Sequence, residues 1–445
     1  MKRLFGTDGM RGVAGQFPLE YSSIYVLGKA LTSILRRKGY SPRILIGRDT
    51  RESGTWIEKA LFRGILDSKG KPTSAGIIPT SAISFLTLKY SFSAGIVISA
   101  SHNPYQDNGI KIFSAKGIKI SDAMEKKLEK EILSSKVTIK EQDITISPDH
   151  SLSQDYIEFL ISRFSPGPFS CNKKIILDCS NGSSSSIAAK VFSKLGIEVI
   201  LIHDIPDGKN INANCGSLYP QSLTDKVLET GADFGVAYDG DADRALWINE
   251  KGILLNGDHT LYILARYMQK QGSLKSNTLV ATIMSNIGLE RALHKIGLKL
   301  FRAPVGDRYV LEHMLKIKSN LGGEQSGHTI LLDDCPTGDG ILTSLKILEV
   351  LTVENSSLSE LLENYHVFPQ TLKNVKVARK ENFSQFPEII NIIEKVKGRL
   401  GNSGRINVRY SGTEPLARVM IEGQVQTEIG EYAQQIADVI TKHLN

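Results

Sequence analysis

A stretch of six residues in the middle of the chain contains three carboxylates that could bind a metal ion. The stretch Asp239-Gly240-Asp241-Ala242-Asp243-Arg244 places three carboxylates at alternating positions, where they repel one another unless a cation lies among them. Ligation by oxygen alone favours a hard ion such as Mg²⁺ or Ca²⁺. A solvated acidic turn is the alternative. An EF-hand, which Glu250 at the twelfth position would complete, is disfavoured because Arg244 stands where that loop needs glycine.

A second polar loop, Ser99-Ala100-Ser101-His102-Asn103-Pro104, follows the apolar run 94–98. Ser101 is a candidate nucleophile or phosphate carrier, and Asn-Pro predicts a turn in either case. A hydrolase Ser-His pair is disfavoured because neighbours on an extended backbone point to opposite sides, and G-x-S-x-G is absent. A phosphoryl group on Ser101 would add about 1.5 to 2 negative charges and require a cation. The aspartate loop would supply it, and Lys111 would lie nearby on a strand.

Two further loops carry groups suited to a sugar phosphate. Leu321-Gly322-Gly323-Glu324-Gln325-Ser326-Gly327-His328 offers a carboxylate, an amide, a hydroxyl and an imidazole, which hydrogen-bond a polyol. A glycine-rich hairpin would look similar. Arg409-Tyr410-Ser411-Gly412-Thr413-Glu414-Pro415, with Arg418 beyond it, could form an anion nest with bidentate arginines. A plain hairpin turn is the alternative there. No Walker loop occurs in the sequence.

The elements that must hold these loops follow from the hydrophobic pattern. Short apolar runs alternate with amphipathic stretches, which is typical of α/β layers with largely parallel sheets. The predicted strands are 43–47, 95–99, 174–179, 198–203, 234–238, 278–283 and 299–303. The predicted helices are 22–38, 54–68, 122–134, 184–194, 258–271, 286–296 and 340–353. The last segment, from about 370, reads as strand, helix, strands and a closing helix at 429–444. Ligands gather where parallel strands end, so the polar loops mark the site.

Composition limits the class of the protein. The 445 residues, 41% hydrophobic and 23% charged, are typical of an ordinary globular chain of two to four domains. The net charge of +7 is scattered and does not alternate with aromatic residues. This favours a small anionic substrate, and no nucleic acid partner is expected, although a polyanion-binding protein is the alternative. Without a signal peptide or a run of roughly 20 apolar residues, we expect no membrane association and a cytoplasmic location.

Four cysteines stand singly in the sequence. None belongs to a C-x-x-C pair, so neither a zinc site nor a disulfide framework is expected, and we predict reduced, mostly structural thiols. They are Cys171, Cys179, Cys215 and Cys335.

Taken together, the motifs resemble those of the phosphohexomutase superfamily. Besides the four loops, the chain carries Phe5-Gly6-Thr7-Asp8-Gly9-Met10-Arg11-Gly12 at its start and Val305-Gly306-Asp307-Arg308-Tyr309-Val310 before the sugar loop. Any one of these could arise by chance. Their common order and separations make the resemblance specific, and it spans nearly the whole sequence.

The resemblance implies three similar mixed-sheet α/β domains and a C-terminal α+β domain around a central cleft. The expected domains are 1–150 with the phosphoserine loop, 151–255 with the metal loop, 256–367 with the sugar loop and 368–445 with the phosphate loop. It also implies an isomerase that moves a phosphoryl group within a sugar through phosphorylated Ser101 and a hexose 1,6-bisphosphate.

The resemblance also assigns residues. One Mg²⁺ per chain is expected on an oxygen of Ser101 and on the three aspartates. The implied metal ligands are Ser101, Asp239, Asp241 and Asp243. The implied reaction-centre residues are Ser101, Arg11, His102, Lys111, Arg244 and His328, with Lys111 and His328 as candidates for proton transfer. The implied substrate contacts are Glu324, Ser326, Arg308, Arg409, Ser411, Gly412, Thr413 and Arg418.

The sequence departs from the superfamily pattern at three positions. Ser99 replaces the usual threonine, Ala242 the usual glycine and Tyr410 the usual proline. Gln325 resembles the glucosamine branch, where glucosamine 6-phosphate and glucosamine 1-phosphate interconvert on the way to cell-wall precursors. Mannose and glucose phosphates are the alternative substrates, since a pocket built around shared hydroxyls discriminates weakly at one substituent. The chain is expected to be a monomer or a homodimer.

Overall fold

The computed structural model of the chain describes residues 4–6, 8–135, 137–139, 143–167, 171–411 and 414–445. These residues divide into two compact units. The larger comprises Met1–Thr282 and Phe301–Glu363, and the smaller comprises Ile283–Leu300 and Asn364–Asn445.

The first sheet of the larger unit has six strands and carries the serine loop. Its strands are β1 (Phe5–Gly6), β2 (Gly9–Val13), β3 (Arg43–Arg48), β4 (Lys71–Ile77), β5 (Ala94–Ile98) and β6 (Asp107–Ser114). Its helices are α1 (Tyr21–Arg37), α2 (Gly54–Asp67), α3 (Thr80–Lys89) and α4 (Asp122–Ser134). The strand order is β1-β2-β6-β5-β3-β4, with β3 parallel to β4 and β5, and β6 antiparallel to β5. All five residues of β5 are buried, as expected for a strand covered on both faces.

The second sheet carries the aspartate loop. Its strands are β7 (Ile175–Asp178), β8 (Val199–Ile202), β9 (Phe234–Tyr238), β10 (Ala245–Asn249) and β11 (Leu254–Leu255), in the order β11-β10-β9-β7-β8. Among the residues described in this part of the chain, the α-helices are α5 (His150–Ser162), α6 (Ala188–Lys194) and α7 (Gln221–Thr230). Strands β9 and β10 form an antiparallel hairpin in which Tyr238 pairs with Ala245, so the aspartates lie at the tip of a hairpin.

The third sheet carries the sugar loop. Its strands are β12 (Thr278–Thr282), β13 (Lys299–Ala303), β14 (Leu321–Gly323) and β15 (Thr329–Leu331), in the order β13-β12-β14-β15. The helices of this stretch of chain are α8 (Gly257–Lys270), α9 (Ile287–Lys295), α10 (Asp307–Ile317), α11 (Gly340–Glu354) and α12 (Leu358–Leu361). Of these, α9 belongs to the smaller unit.

The smaller unit has an antiparallel sheet and helices around its own core. Its elements beside α9 are β16 (Gln370–Lys376), α13 (Pro387–Leu400), β17 (Arg405–Tyr410), β18 (Leu416–Glu422) and α14 (Gln426–Leu444), with strand order β16-β18-β17. Val419 and Ile421 of β18 and Ile436 of α14 are fully buried in this core. The fully buried Glu422 accepts a hydrogen bond from Arg405 at 2.8 Å and one from the Ile287 backbone N–H at 3.2 Å, which fastens the start of α9.

The predicted fold class is confirmed, and each predicted strand is present to within a single residue. Two predicted helices are wrong at their starts. The closing helix α14 begins at Gln426, three residues before the predicted start, and residues 184–187 form a turn, so that α6 begins only at Ala188. The run Ser183-Ser184-Ser185-Ser186 precedes it, and serine hydroxyls compete with the helix for backbone groups. Ser184 Oγ, for example, donates to the Cys179 carbonyl oxygen at 3.2 Å.

The four cysteines form no disulfide. Cys179, Cys215 and Cys335 are buried, and burial raises the pKa of each thiol, to about 12 for Cys215 and Cys335. Cys171 is partly exposed. In the part of the chain that the structure describes, no helix has the length and apolar character needed to cross a membrane.

Candidate active site

Ser101 lies just beyond the carboxyl end of β5 and is completely buried. Its backbone has a φ of 54°, in the left-handed region that residues other than glycine rarely adopt. Ser99 keeps the useful hydroxyl expected at its position, because its Oγ accepts the Ser101 backbone N–H at 2.9 Å. The Ser101 hydroxyl donates to Asp239 Oδ2 at 2.5 Å. The structure therefore brings together the serine and the aspartate loop, which are 138 residues apart in the sequence.

The expectation that Ser101 and His102 point to opposite sides is wrong. Because Ser101 is left-handed rather than extended, its Oγ lies 3.3 Å from His102 Nδ1. Arg244 Nη1 also lies 3.0 Å from this nitrogen, an arrangement in which the guanidinium donates. Burial and then the Arg244 charge lower the His102 pKa to about 4. A neutral, weakly basic imidazole is a poor activator of a serine nucleophile, so a hydrolase pair stays disfavoured, although for a different reason.

The three aspartates at the hairpin tip form a cluster that fits a cation. Asp239 and Asp241 are fully buried and Asp243 nearly so, and one oxygen of each lies within 4.8 Å of the others. Burial, together with repulsion from Asp243 and Asp241, raises the pKa of Asp239 well above its ordinary value. The buried Oδ1 atoms of Asp241 and Asp243 accept no hydrogen bond from any residue that the structure describes. Unpartnered carboxylate oxygens of this kind suit a hard divalent ion. The flanks are strands, which excludes an EF-hand.

Lys111 on β6 lies beside this cluster as a buried cation. Its Nζ donates to Asp241 Oδ2 at 2.7 Å and to Asp243 Oδ2 at 2.9 Å, and only 1% of its side chain is exposed. Burial alone would lower the Lys111 pKa, but the two aspartates outweigh it and hold that pKa well above its usual value. Burial likewise opposes the effect of Lys111 on Asp243, whose pKa is nevertheless lowered to about 2. The neighbouring carboxylates therefore favour the ammonium form of Lys111, which stabilises negative charge.

Three charged residues that the sequence reasoning did not assign extend this network. Lys119 bridges two carboxylates, at 2.7 Å from Asp307 and in a short contact with Asp8. Asp8 in turn lies 3.5 Å from Lys111 Nζ. Although burial opposes ionisation, Lys111 and Lys119 lower the Asp8 pKa well below its ordinary value. Asp8 and Asp307 lie within the motifs that carry the family resemblance, whereas nothing in the sequence pattern marked Lys119.

Arg11 and Arg244 line a cavity of about 410 Å³ next to the cluster. Arg11, on β2, donates to the Ala100 carbonyl oxygen at 3.2 Å and pairs with Asp8. The Nε of Arg244 lies 4.0 Å from Asp239 and 3.8 Å from Asp243. These carboxylates raise the Arg244 pKa despite its burial. Other lining residues include His102, Asp243, Glu324 and His328. The cavity thus presents two guanidinium groups, which suit a phosphate ester.

The sugar loop follows β14 and reaches the same cavity. Glu324 accepts the Gly306 backbone N–H at 3.0 Å, and burial raises the pKa of its carboxyl. His328 is buried, and its Nε2 accepts the Gly338 N–H at 3.2 Å and lies 3.5 Å from Asp307. Its Nδ1 has no hydrogen-bond partner among the residues described. A Cβ at Gly338 would come within 2.4 Å of the imidazole, so only glycine leaves the ring in place.

Two predicted substrate contacts, Ser326 and Arg308, differ in how far neighbouring residues already occupy their polar groups. Ser326 is exposed and its hydroxyl is open to a ligand. Arg308, on α10, already pairs with Asp122 at 2.6 Å and with Glu312 at 3.2 Å. Its guanidinium is therefore already paired with one carboxylate on α4 and one on its own helix.

The phosphate loop lies in the smaller unit, between β17 and β18. Arg409 and Arg418 are direct cross-strand neighbours, and burial followed by the Arg418 charge lowers the pKa of Arg409. Two facing guanidinium groups favour an anion between them. Ser411 Oγ donates to Glu414 at 3.2 Å, and Arg418 donates to the same carboxylate at 2.8 Å. Gly412 and Thr413, also predicted to bind phosphate, lie outside the described residues.

Asp178, His203 and Cys215 form a second group with possible metal ligands. Both oxygens of Asp178 already accept backbone N–H groups, from Ser180 at 2.9 Å and from Gly216 at 2.8 Å. The hydrogen bond that His203 donates to the Asp178 carboxylate raises the pKa of His203, which favours the cationic imidazole over a metal ligand. This group therefore fastens the loop after β8, which includes residues 211–216.

Comparison with known proteins places the motifs in one family. The model described as "Phosphoglucomutase/phosphomannomutase, alpha/beta/alpha domain I" matches residues 2–138, the corresponding models of domains II and III match 154–252 and 256–368, and the C-terminal domain model matches 372–439.

Curated relatives match over nearly their whole length. A phosphoglucosamine mutase of Koribacter versatilis is 46% identical over 449 residues, covering 99% of this chain and 97% of the relative. Another, of Syntrophus aciditrophicus, is 45% identical and covers 100% of both chains.

Solved structures share the fold. A phosphoglucomutase/phosphomannomutase family protein of Burkholderia thailandensis superposes with a TM-score of 0.81 at 21% identity, covering 100% of this chain and 98% of that one. An N-acetylphosphoglucosamine mutase of Aspergillus fumigatus, solved in complex with GlcNAc-6P and magnesium, gives 0.67 at 17% identity and covers 99% and 96%.

Proposed function

Because the chain belongs to the phosphoglucomutase/phosphomannomutase family, we propose that it is a phosphoglucosamine mutase, an isomerase that interconverts glucosamine 6-phosphate and glucosamine 1-phosphate. The observation that carries the mechanism is the buried Ser101 hydroxyl, 2.5 Å from Asp239 in a cluster of three carboxylates. A cytoplasmic location and a monomeric or homodimeric state remain predictions from the sequence.

The residues around Ser101 suit a phosphoserine that requires a metal ion. A phosphoryl group there would bring about 1.5 to 2 negative charges against Asp239, a repulsion that only nearby cations can offset. In our proposal Asp239, Asp241 and Asp243, with an oxygen on Ser101, hold one Mg²⁺. When bound, the ion neutralises charge that develops on the transferring group. Lys111 and Arg244 supply further positive charge from the protein.

The proposed reaction transfers one phosphoryl group in each direction. The P–O bond to Ser101 Oγ breaks while the free sugar hydroxyl forms a new P–O bond and loses its proton. The resulting glucosamine 1,6-bisphosphate reverses its orientation in the site, and its other phosphoryl group is then transferred to Ser101. The enzyme therefore regains one phosphoryl group for each one that it donates. Positioning and charge neutralisation provide most of the catalysis. The same mechanism makes a hexose 1,6-bisphosphate the expected activator of unphosphorylated enzyme.

The remaining residues have binding and proton-transfer roles in this proposal. Glu324 and Ser326 hydrogen-bond the sugar hydroxyls, with Arg308 nearby. Arg11 and His102 line the reaction centre, and His328 is a candidate for proton transfer. Its Nε2 accepts the Gly338 N–H, so the Nδ1 of the neutral ring carries a proton that it can donate. Lys111, whose Nζ donates to Asp241 and Asp243, is the other candidate for proton transfer and also supplies positive charge. The non-reacting phosphate would bind Arg409, Ser411, Gly412, Thr413 and Arg418.

Steady-state assays with three substrates test the proposal. We expect the highest kcat/KM with glucosamine 6-phosphate, ahead of glucose 6-phosphate and mannose 6-phosphate. Intact mass after incubation with glucose 1,6-bisphosphate should rise by one phosphate, mapped to Ser101. Preference for another hexose would reassign the substrate, whereas release of inorganic phosphate at the rate of sugar phosphate loss would indicate a phosphohydrolase.

A further inference from the structure

Two side chains from outside the serine loop hold its backbone by the same two carbonyl groups. Arg51 Nη2 donates to the Ser101 oxygen at 3.0 Å and to the Asn103 oxygen at 2.8 Å. Asn212 Nδ2 donates to these oxygens at 2.9 Å and 3.1 Å. Each carbonyl oxygen thus accepts two hydrogen bonds, which occupies both of its lone pairs.

We propose that Arg51 and Asn212 are positioning residues that hold Ser101 in the geometry for phosphoryl transfer. This inference rests on the proposed function of Ser101. Neither side chain is bonded to the serine hydroxyl, so both would act through the backbone of the loop.

Arg51 is completely buried and uses all five of its N–H donors. Besides the two carbonyls, Nη1 donates to Asp107 O at 3.0 Å and, in a short contact, to Pro104 O. Nε donates to the buried carboxylate of Asp49 at 2.9 Å. A planar guanidinium meets five acceptors in a fixed fork, whereas a lysine ammonium has three donors on a flexible stem. The side chain therefore defines the shape of the whole loop from 101 to 107.

The geometry at Ser101 needs such support. A left-handed φ in a residue other than glycine persists only when the surroundings enforce it. Gly240 also approaches closely, since a Cβ there would lie 2.7 Å from the Ser101 oxygen. If the carbonyl were released, Ser101 could relax to an ordinary backbone conformation, and its hydroxyl would turn away from Asp239.

Asn212 is itself firmly held. It is 7% exposed, and its backbone N–H donates to Ser180 O at 2.9 Å. The Asp178 carboxylate accepts the N–H groups of Ser180 and Gly216 on both sides of this contact. The loop after β8 is thereby anchored to its own sheet while its asparagine reaches the serine loop.

Kinetics of Asn212→Ala give the first test. We expect kcat to fall between about tenfold and a hundredfold, because small displacements of a reacting group have effects of that size. KM should stay within about twofold, since the substrate contacts are unchanged. Phosphorylation of Ser101 by glucose 1,6-bisphosphate, followed by intact mass in a single turnover, should slow in parallel. Arg51→Lys should likewise lower kcat and leave KM nearly unchanged.

Asn214→Ala is the matched control. Asn214 is exposed and has a φ of 53°, close to the 57° of Asn212, so both substitutions place alanine in the left-handed region. The control should keep normal kcat. Equal kcat losses in the two variants, or a normal kcat in Asn212→Ala, would overturn the proposal.

A crystal structure of Asn212→Ala tests the positioning role of Arg51 and Asn212 independently of the proposed function. We expect Ser101 to leave the left-handed region, or its Oγ to move beyond about 3.5 Å from Asp239. An unchanged Ser101 would overturn the inference. Absence of mutase turnover in the unaltered protein would instead overturn the proposed function. The crystal structure would still show whether Asn212 holds Ser101 in its conformation.

Discussion

Ser101 Oγ donates to Asp239 Oδ2 at 2.5 Å, and both residues are completely buried. The acceptor belongs to a carboxylate whose pKa burial and two neighbouring aspartates raise. The hydroxyl therefore lies at the point where the protein has concentrated negative charge, and phosphorylation of that hydroxyl makes a cation indispensable.

Ser101→Ala should abolish mutase turnover and leave the fold intact. The substitution removes the proposed phosphate carrier but little volume. Coupled assays and the thermal midpoint measure the two effects. Ser326→Ala, an exposed serine of the sugar loop, is the comparison and should raise KM while it retains turnover. Normal turnover in Ser101→Ala would remove this residue from the mechanism.

Asp241→Asn should weaken metal activation. The change removes one negative charge from the cluster and one partner of Lys111, so the Mg²⁺ concentration for half-maximal activity should rise about tenfold or more. Titration of chelator-treated enzyme with Mg²⁺ gives this value. Asp225→Asn, at an exposed site on α7, should leave it unchanged. If both variants titrate like the unaltered enzyme, the aspartate loop does not hold the metal.

Arg418→Gln should raise the KM for glucosamine 6-phosphate about tenfold or more, with kcat changed less than about threefold. A charge-assisted bond contributes about 1.5 to 3 kcal/mol, and a contact to the non-reacting phosphate is equal in ground and transition states. Steady-state kinetics separate the two constants. Arg379→Gln, in an exposed ion pair with Glu381, should change neither. An unaltered KM for Arg418→Gln would argue against this phosphate site.

Acid should destabilise the protein partly through His259. Burial lowers the pKa of His259 to about 4, from 6.5 in the unfolded chain. The unfolded state therefore binds more protons between these values, so the free energy of unfolding falls as pH drops through this window. We expect this contribution to reach about 2 kcal/mol at pH 4.5.

Urea unfolding of His259→Gln at pH 7 and at pH 4.5 measures that contribution. Glutamine can still accept the Asn256 backbone N–H that His259 Nδ1 accepts at 3.1 Å, so the capping box of α8 is kept. The loss of stability between the two pH values should shrink by the stated amount. His294→Gln, at an exposed site on α9, should leave the loss unchanged. An equal loss in both variants would contradict the assignment to His259.

The elements that present the site could be predicted where hydrophobic periodicity was strong. β5 and β9 are short buried apolar runs that end in polar loops, so their bounds to within one residue, and the two loops that carry Ser101 and the aspartates, followed from pattern and motif. Helix α3 was not predicted, because most of its residues are buried and it lacks a polar face to create periodicity. Strand β4 was not predicted because Pro72 and Gly76 interrupt its run.

Contacts that depend on a backbone conformation or on a distant side chain could not be predicted. The closeness of Ser101 and His102 requires a positive φ that serine seldom adopts. Arg51 and Asn212 reach carbonyl groups 50 and 111 residues away, and carbonyl groups leave no mark in a sequence. Lys119 likewise looks like any surface lysine until the fold places it between Asp8 and Asp307.

The burial of three of the four cysteines allows selective labelling of the fourth. Three thiols are inaccessible and their raised pKa values keep them from forming the reactive thiolate, so a maleimide should attach to Cys171 first. A single dye could then be placed just ahead of β7 without removing any native cysteine.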